Sequence, residues 1–373
     1  MFARPDRSID RFDSDPTRSF TMAAEYYTSP EIAERERRAI FHRSWLYVGL
    51  ASQLQQAGDY LTAELGGERI FVIRGDDGVL RGFFNVCLHR GHSLLEGSGT
   101  ISRLITCPYH AWAYAPDGTL AGARMADRMP EFDFDDYKLP EIAVEDFAGL
   151  IFVNLDPDPA PMEQVYPGAL EAIEAMAPDL RDLRPAEVSV FDINGNWKNV
   201  GDNLLECYHC HPAHRGFVDL IDMDTYRNET FEGWSLQSGD YREGNDTYTI
   251  DDGRPGFGTL FLWPNVSIGH IPGQRGVLVF QFEPTGTETT LQTLTFLTPD
   301  GQLSETEAKA AAFFNDVLGP EDVDLVENVQ IGLRSIGYHQ GRFICIPDRP
   351  EISEHAVHHF HQMVLDALAE EPS

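Results

Sequence analysis

The chain has 373 residues, enough for two or three domains that each bury a core of their own. It carries 28 basic and 60 acidic side chains, and the formal net charge of −32 repels phosphate backbones and anionic membrane surfaces, which argues against nucleic-acid binding. Its apolar runs are too short to span a membrane, and five cysteines, an odd number, favour metal ligation in a reducing cytoplasm over a disulfide framework.

The first predicted element is a helical arm over residues 1–44. It begins with a charged stretch, residues 1–15, that lacks the apolar core of a signal peptide. Ser29 then offers a good N-cap before Pro30, and a partial apolar stripe follows. We expect this arm to pack on the domain formed by the last part of the chain.

Residues 45–160 predict a small all-β domain, because short apolar strands alternate there with Gly/Asp turns. The clearest strands are 60–65, 69–74, 80–86 and 149–155. A hairpin is expected at Gly75-Asp-Asp-Gly78.

Two short clips inside this domain, Cys87-Leu-His89 and Cys107-Pro-Tyr-His110, each combine a thiol with an imidazole. Together they can supply two thiolates to one iron and two imidazoles to the other, the ligand set of a Rieske [2Fe–2S] cluster. A zinc site is the alternative, although zinc fingers usually pair Cys with Cys and His with His.

Residues 161–373 predict an α+β domain, a long antiparallel sheet wrapped by helices. A helix-prone connector over 161–176 comes first. The predicted strands are 187–193, 247–250, 258–263, 266–270, 276–282 and 290–296, and the predicted helices are 304–317, 321–332 and 353–369.

The densest group of potential ligands lies in residues 195–214, which contain three histidines, two acids and two cysteines. Asp202, Glu206 and His209 recur at intervals of four and three residues, so a helix over 202–209 would place them on one face.

Pro212 would end that helix and let His214 turn toward the same point. Two neutral imidazoles and one carboxylate hold non-haem Fe(II) while leaving positions open for O₂, so the segment indicates a mononuclear metal site. Cys207 and Cys210 form a Cys-x₂-Cys pair that could suggest thioredoxin-like chemistry, but we interpret them as pocket lining or packing.

These motifs resemble those of the Rieske non-haem iron oxygenases. The matching sequences are Cys87-x-His89-Arg-Gly, Cys107-Pro-Tyr-His110-Ala-Trp112, Asn196-Trp-Lys and Tyr208-His209-x₄-His214. The match spans roughly residues 35–345, and it implies a Rieske domain followed by a helix-grip catalytic domain. Ala111 departs from the glycine usual in the family, which should alter loop packing rather than ligation.

The resemblance implies the ligands of two metal centres. It assigns the cluster to Cys87, His89, Cys107 and His110, and the mononuclear Fe(II) to His209, His214 and an aspartate from a late helix. We predict Asp322 as this third ligand, with Asp324 as the alternative; acids favoured by the helix dipole are the other explanation for both. His211 is interpreted as a supporting residue.

Glu206 has the position of the family's bridging acid, which links an iron-site histidine to a cluster histidine, here His110, of a neighbouring subunit. The resemblance therefore implies a homotrimer with electron transfer between subunits. Electrons would come from NAD(P)H through a separate flavin/iron–sulfur reductase, since this chain shows no GxGxxG nucleotide fingerprint.

The run around Glu206 is most similar to the branch that oxidises quaternary ammonium compounds such as glycine betaine, stachydrine, carnitine and choline. The resemblance thus implies an O₂-dependent monooxygenase that hydroxylates an N-methyl carbon, with N-demethylation and loss of formaldehyde. The alternatives are an aromatic ring-hydroxylating dioxygenase and a non-catalytic electron carrier, although a carrier needs no open metal site.

Other side chains allow weaker predictions. The aromatic residues that might bind a trimethylammonium group, or simply form the sheet core, are Trp234, Tyr248, Phe257, Phe261 and Trp263. We expect Cys345 in the core, and solvated positions for His355, His358, His359 and His361.

Overall fold

The computed structural model describes residues 10–251, 253–346 and 348–370. The chain divides into two compact units, Phe41–Gln164 and a second unit made of the residues up to Ile40 and from Val165 onward. The predicted domain limits after residues 44 and 160 stay a prediction, and the first nine residues of the predicted arm lie outside the described residues.

The unit Phe41–Gln164 is built from short antiparallel strands. They are β1 (Leu46–Leu50), β2 (Asp59–Leu65), β3 (Glu68–Arg74), β4 (Leu80–Phe84), β5 (Ser98–Thr100), β6 (Ile105–Thr106), β7 (Ala113–Tyr114), β8 (Leu120–Gly122), β9 (Glu141–Phe147) and β10 (Leu150–Asn154). In the described part of the chain, seven of them form one sheet in the order β1-β10-β9-β4-β3-β2-β5, and β6-β7-β8 form a second. The predicted strands and the hairpin between β3 and β4 are confirmed.

The core of this unit explains where the two clips lie. Alternate residues of β3, Phe71 and Ile73, are fully buried beside Phe83 of β4. The same cluster includes the clip residues Cys87 and Cys107, so the loops that carry them are anchored on a packed sheet.

The second unit combines a long sheet with most of the helices. The helices of the chain are α1 (Glu25–Thr28), α2 (Pro30–Glu36), α3 (Met162–Val165), α4 (Ala169–Met176), α5 (Trp197–Leu204), α6 (Cys210–Ala213), α7 (Arg215–Leu220), α8 (Glu305–Phe313), α9 (Gly319–Leu333) and α10 (His355–Ala369). Arg37–Phe41 and Phe314–Leu318 are π-helical turns, and Ala51–Gln53, Ala126–Arg128, Asp135–Tyr137, Leu180–Asp182 and Pro350–Ile352 are 3₁₀ turns.

The described strands of this unit form one antiparallel seven-stranded sheet in the order β11-β17-β16-β15-β14-β13-β12. They are β11 (Arg184–Ile193), β12 (Ile221–Phe231), β13 (Trp234–Tyr241), β14 (Gly256–Leu262), β15 (Val266–His270), β16 (Val277–Gly286) and β17 (Thr289–Thr298). The α+β class is confirmed, and so are the late helices, the first of which starts at the capping box of Ser304.

One predicted strand of this unit is wrong. Residues 247–250 are not a strand, because the Asp219 carboxylate accepts hydrogen bonds from the backbone N–H groups of Asp246 and Thr247 and holds them in a turn. The helix-prone connector over 161–176 is confirmed; it contains two short helices, α3 and α4, because Gly168 takes a left-handed φ of 83° between them.

The histidines of α10 are packed rather than solvated. His361 is fully buried: Met22 N–H donates to its Nδ1, and its Nε2 lies 2.8 Å from Asp202 Oδ1. His358 is also buried. The prediction failed because α10 carries apolar residues on more than one face and is covered by the N-terminal segment. Cys345, expected in the core, is half-buried.

The N-terminal arm is fixed to α5 by a buried ion pair. Ser29 caps α2 as predicted, and Glu36 at its end lies 2.7 Å from the ammonium of Lys198. Trp197 Nε1–H donates to the same carboxylate, while the Asn196 side chain caps α5. The Asn-Trp-Lys motif thus serves to position the helix that leads into the candidate iron site.

No helix in the described ranges combines the length and apolar character needed to cross a membrane.

Candidate metal centres

The segment that follows α5 is a turn and not the predicted helix over 202–209. The helix ends at Leu204, because the Glu206 carboxylate accepts hydrogen bonds from the backbone N–H groups of Tyr208 and His209. These bonds replace the helical pattern. Asp202 consequently does not share a face with His209; it contacts the Tyr27 hydroxyl and His361 instead.

Three side chains of the second unit converge on one point. His209 Nε2 lies 3.1 Å from His214 Nε2, and Asp322 Oδ1 lies 2.9 Å from His214 Nε2 and 3.5 Å from His209 Nε2. All three ligand atoms fall within 4.8 Å of one another. Asp324, the alternative, is exposed and bonded to Asn328 one turn further on. The structure therefore brings Asp322, not Asp324, to the histidines.

A carboxylate stands behind each imidazole. Glu206 accepts from Nδ1 of His209, and Glu321 Oε2 lies 2.8 Å from Nδ1 of His214. A proton held on Nδ1 leaves the lone pair of Nε2 directed into the cluster, the tautomer that a metal requires. The sequence predicted this place for Glu206 but not for Glu321, whose only signal is that it precedes Asp322 on α9.

The electrostatics of the cluster favour positive charge between the three ligand atoms. Burial opposes protonation of His209, but the Asp322 and Glu206 carboxylates outweigh it and raise its pKa to about 10. The pKa of His214 is raised against burial by Asp322 and Glu321. Burial acts to raise the pKa of Asp322, but the two histidines outweigh it and lower this pKa. A divalent cation supplies the charge that these groups otherwise share as protons, so the donor set fits Fe(II).

A cavity of about 110 Å³ opens beside this cluster and is mostly apolar. Its aromatic lining residues are Phe217, Tyr226, Phe257, Phe280 and Phe314. Of the aromatics singled out in the sequence, Phe257 lines the cavity, whereas Trp234, Phe261 and Trp263 are buried elsewhere in the unit. Tyr248 is buried next to the cavity, where its hydroxyl donates to the Pro272 carbonyl.

Cys207 and Cys210 line the cavity, as predicted, but they are joined by a disulfide, which the sequence did not lead us to expect. The turn that Glu206 stabilises brings their Cα atoms to 4.9 Å, within disulfide reach. His211 is exposed and, among the described residues, forms no hydrogen bond to either histidine ligand, contrary to its predicted role.

The other candidate centre lies in the Phe41–Gln164 unit, where the two clips form similar loops. Cys87 N–H donates to the His92 carbonyl and Cys107 N–H donates to the Trp112 carbonyl, and both N···O distances are 2.8 Å. The fourth residue after each cysteine has a left-handed φ, 74° at Gly91 and 58° at Ala111. This repeated geometry explains the glycine usual in the family at the second position.

The four predicted cluster ligands fit an asymmetric [2Fe–2S] centre. Cys87 and Cys107 are buried, while His89 and His110 are exposed with ring centroids 4.6 Å apart. Burial raises the pKa of the Cys87 thiol, with Cys107 adding to the effect, so bound metal would be needed to hold thiolates here. The Tyr114 hydroxyl, 3.5 Å from Cys87 Sγ, supports the site from the core.

Comparisons with known proteins match both parts of the chain. Residues 44–133 match the family described as Rieske [2Fe-2S] domain, and residues 180–370 match Ring hydroxylating alpha subunit (catalytic domain). The chain is 38% identical over 361 residues, 96% of each sequence, to the carnitine monooxygenase oxygenase subunit of Escherichia coli K12. It is 30% identical over 370 residues to the glycine betaine monooxygenase oxygenase subunit of Chromohalobacter salexigens, covering 87% of this chain and 81% of that one. A solved quaternary ammonium Rieske monooxygenase in complex with L-carnitine superposes with a TM-score of 0.88 at 37% identity, covering 98% and 99% of the two chains.

Proposed function

Because the chain belongs to the Rieske oxygenase alpha subunits, in the quaternary-ammonium branch, we propose that it hydroxylates an N-methyl carbon of a quaternary ammonium compound. The observation that carries the proposal is the shared cavity: aromatic rings and the three converging ligand atoms line the same space. Carnitine is the first substrate to test, since the carnitine enzymes are more similar to this chain than the glycine betaine enzyme is.

The aromatic wall suits a cation that cannot form hydrogen bonds. Phe217 meets Phe257 edge-on at 5.3 Å, and Tyr226 stacks on Phe257 at 6.3 Å. A trimethylammonium group has no donor, so a protein holds it by aromatic faces and shape. The Tyr226 hydroxyl is bonded to Gln237, which leaves the ring rather than the hydroxyl for the ligand.

Both cofactors are those of the family, a Rieske cluster and a non-haem iron. We assign the cluster to Cys87, His89, Cys107 and His110, and the iron to His209, His214 and Asp322. When bound, the cluster supplies electrons one at a time and the Fe(II) supplies open positions for O₂.

This chain's own residues position the reaction. Glu206 and Glu321 orient the two imidazoles through their Nδ1 atoms, and the apolar lining excludes water from the space beside the ligands. One oxygen atom of O₂ is inserted into a methyl C–H bond. The other oxygen atom is reduced to water by two electrons and two protons. The resulting hemiaminal then breaks its C–N bond to give formaldehyde, a tertiary amine and a proton.

We further propose a homotrimer in which Glu206 links His209 to His110 of the partner subunit, with electrons from NAD(P)H through a separate reductase. The position of Glu206 directly behind His209 supports this role. We propose a reducing cytoplasm as the location, where the thiolate ligands of the cluster persist and the Cys207–Cys210 disulfide would be open to reduction. In mixed trimers of Cys107→Ala and His209→Ala subunits, transfer across the subunit boundary predicts partial activity that neither parent shows; fully metal-loaded but inactive mixtures would contradict it.

A substrate panel with a generic reductase tests the function. Carnitine, glycine betaine and choline should each be compared with naphthalene, following O₂ uptake and formaldehyde. The proposal expects uptake and formaldehyde with at least one quaternary compound and neither in a His214→Ala variant. Trimethylamine in place of formaldehyde would move the oxidised carbon to the other side of the nitrogen, and a dihydrodiol from naphthalene would favour the ring-hydroxylating alternative.

A further inference from the structure

One amide of the sheet, that of Gln292, faces the cavity beside the candidate iron site. Gln292 lies in the middle of β17, between Phe191 of β11 and Phe282 of β16. It is only 4% exposed and lines the cavity that contains the three candidate iron ligands. In the described ranges of the chain, its side-chain amide takes part in no hydrogen bond with another residue.

Two other polar side chains of the cavity wall, Gln237 and Ser267, are paired within the protein. Gln237 accepts from the Tyr226 hydroxyl and donates to the Leu204 carbonyl. Ser267 Oγ lies 3.0 Å from the Thr259 hydroxyl and donates to the Leu260 carbonyl. Their donors are therefore already used.

The Gln292 amide is open to the cavity, because its atoms are not among the fully buried side-chain atoms that lack a partner. A ligand that fills the cavity without bonding to this amide would leave it unsatisfied, which is unfavourable. Groups of this kind in native proteins usually have a specific explanation. A ligand in the cavity supplies one here. Among the described lining residues, the Nδ1 atom of His270 also lacks a partner, but an imidazole offers one nitrogen there, whereas the Gln292 amide offers two donors and an acceptor.

The trimethylammonium end of a substrate cannot be that partner, because it carries neither donor nor acceptor. The partner must be the oxygen-bearing end of the molecule. An amide NH₂ offers two donors to a carboxylate. Among the described residues that line the cavity there is no Lys or Arg to take that role, and the carboxylates of Glu206 and Asp322 would repel an anion.

We infer that Gln292 is a specificity-determining residue that binds the carboxylate of a zwitterionic quaternary ammonium substrate. The inference rests on the proposed function and narrows it to betaines that carry a carboxylate, such as carnitine, rather than cationic alcohols such as choline. Gln292 touches the non-reacting end of the substrate, so it should govern binding and not the chemistry at the methyl carbon.

Calorimetric binding to oxidised, metal-loaded protein without reductase tests this independently of turnover. Gln292→Leu should raise the Kd for carnitine roughly 10- to 100-fold, as expected for a lost hydrogen bond to a charged group. The Kd for choline should change by less than about threefold. Gln292→Glu, which is nearly isosteric, should abolish the preference for carnitine and lower the Kd for choline. Thr293→Val is the matched control, because Thr293 follows Gln292 in β17 and its side chain therefore points to the other face of the strand.

The inference would be overturned if Gln292→Leu raised the Kd for carnitine and for choline equally, or changed neither Kd. If neither variant folds, wild-type protein decides. It should bind γ-butyrobetaine at least about tenfold more tightly than butyltrimethylammonium, which lacks the carboxylate, and equal affinities would overturn the assignment. Failure of the proposed function looks different: no quaternary compound would then be oxidised by the wild-type enzyme at all.

Discussion

Replacing Lys198 with Met should destabilise the second unit by about 3–5 kcal/mol, because it leaves the Glu36 carboxylate buried without its counter-charge. The two side chains are 0% and 2% exposed, and Nζ lies 2.7 Å from Oε1 and 2.9 Å from Oε2. Trp197 Nε1–H donates to Oε2, whereas Oε1 accepts no directed hydrogen bond and depends on the ion pair. Removing the lysine therefore leaves one oxygen of the carboxylate without any partner.

Thermal unfolding followed by circular dichroism and calorimetry measures this effect. For a domain of 150–250 residues, each kcal/mol shifts Tm by about 2–4 °C, so Lys198→Met should lower it by roughly 6–20 °C. The double variant Glu36→Gln/Lys198→Met removes the uncompensated charge and keeps an acceptor for Trp197, so it should recover part of the loss.

The matched control is Lys309→Met, since Lys309 pairs with Glu305 on the exposed surface of α8. Its Tm should stay within about 2 °C of the wild type. If Lys198→Met behaves like this control, or if the double variant is no more stable than Lys198→Met, the buried pair does not hold the arm to α5 as argued.

Three further predictions concern the metal sites and a buried carboxyl. Asp322→Ala should lose the mononuclear iron and keep the cluster spectrum, and Asp324→Ala should keep both; metal analysis showing the reverse would exchange their roles. Ala111→Gly should raise the free energy of unfolding by about 0.5–1 kcal/mol. Relief of the left-handed alanine, about 1–2 kcal/mol, exceeds the entropic cost of a glycine, about 0.5–1 kcal/mol. Gly91→Ala should lower the free energy of unfolding, because the left-handed φ disfavours alanine even though no atom lies near the added Cβ. Burial raises the pKa of Glu283 from 4.5 to about 7, so the folded protein keeps this carboxyl protonated at pH values where the unfolded chain has released the proton. The free energy of unfolding therefore falls as pH rises from 4.5 through 7. Glu283→Gln keeps both accepted hydrogen bonds and should flatten the fall of Tm over that range; an unchanged profile would show that Glu283 titrates normally.

Local chemistry in the sequence is enough to predict much of the molecule. Thiol–imidazole clips, the Ser29 and Ser304 caps and alternating strands each depend on residues close together in the chain. Such patterns are recognisable in the amino-acid sequence alone, and most of the helices and strands that they predict are present.

Long-range and competing interactions explain what was missed. Spacing put Glu206 and His209 on one helix face, but the Glu206 carboxylate bonds to backbone N–H groups and ends the helix; the two residues still meet, through a turn. The burial of His361 depends on the N-terminal segment, over 300 residues away in sequence. Gln292 looks like one polar position in an alternating strand, and its isolation is visible only when the sheet and cavity are assembled.

The measurement that tests the central claim most directly is a product balance for carnitine oxidised by wild-type enzyme and a generic reductase. Oxygen uptake, formaldehyde and the N-methyl proton signal of the substrate should be followed together. The account predicts that oxygen uptake requires carnitine, that formaldehyde rises in step with it, and that the trimethylammonium signal falls accordingly. Oxygen consumption with the trimethylammonium group intact would contradict oxidation at a carbon bonded to the quaternary nitrogen.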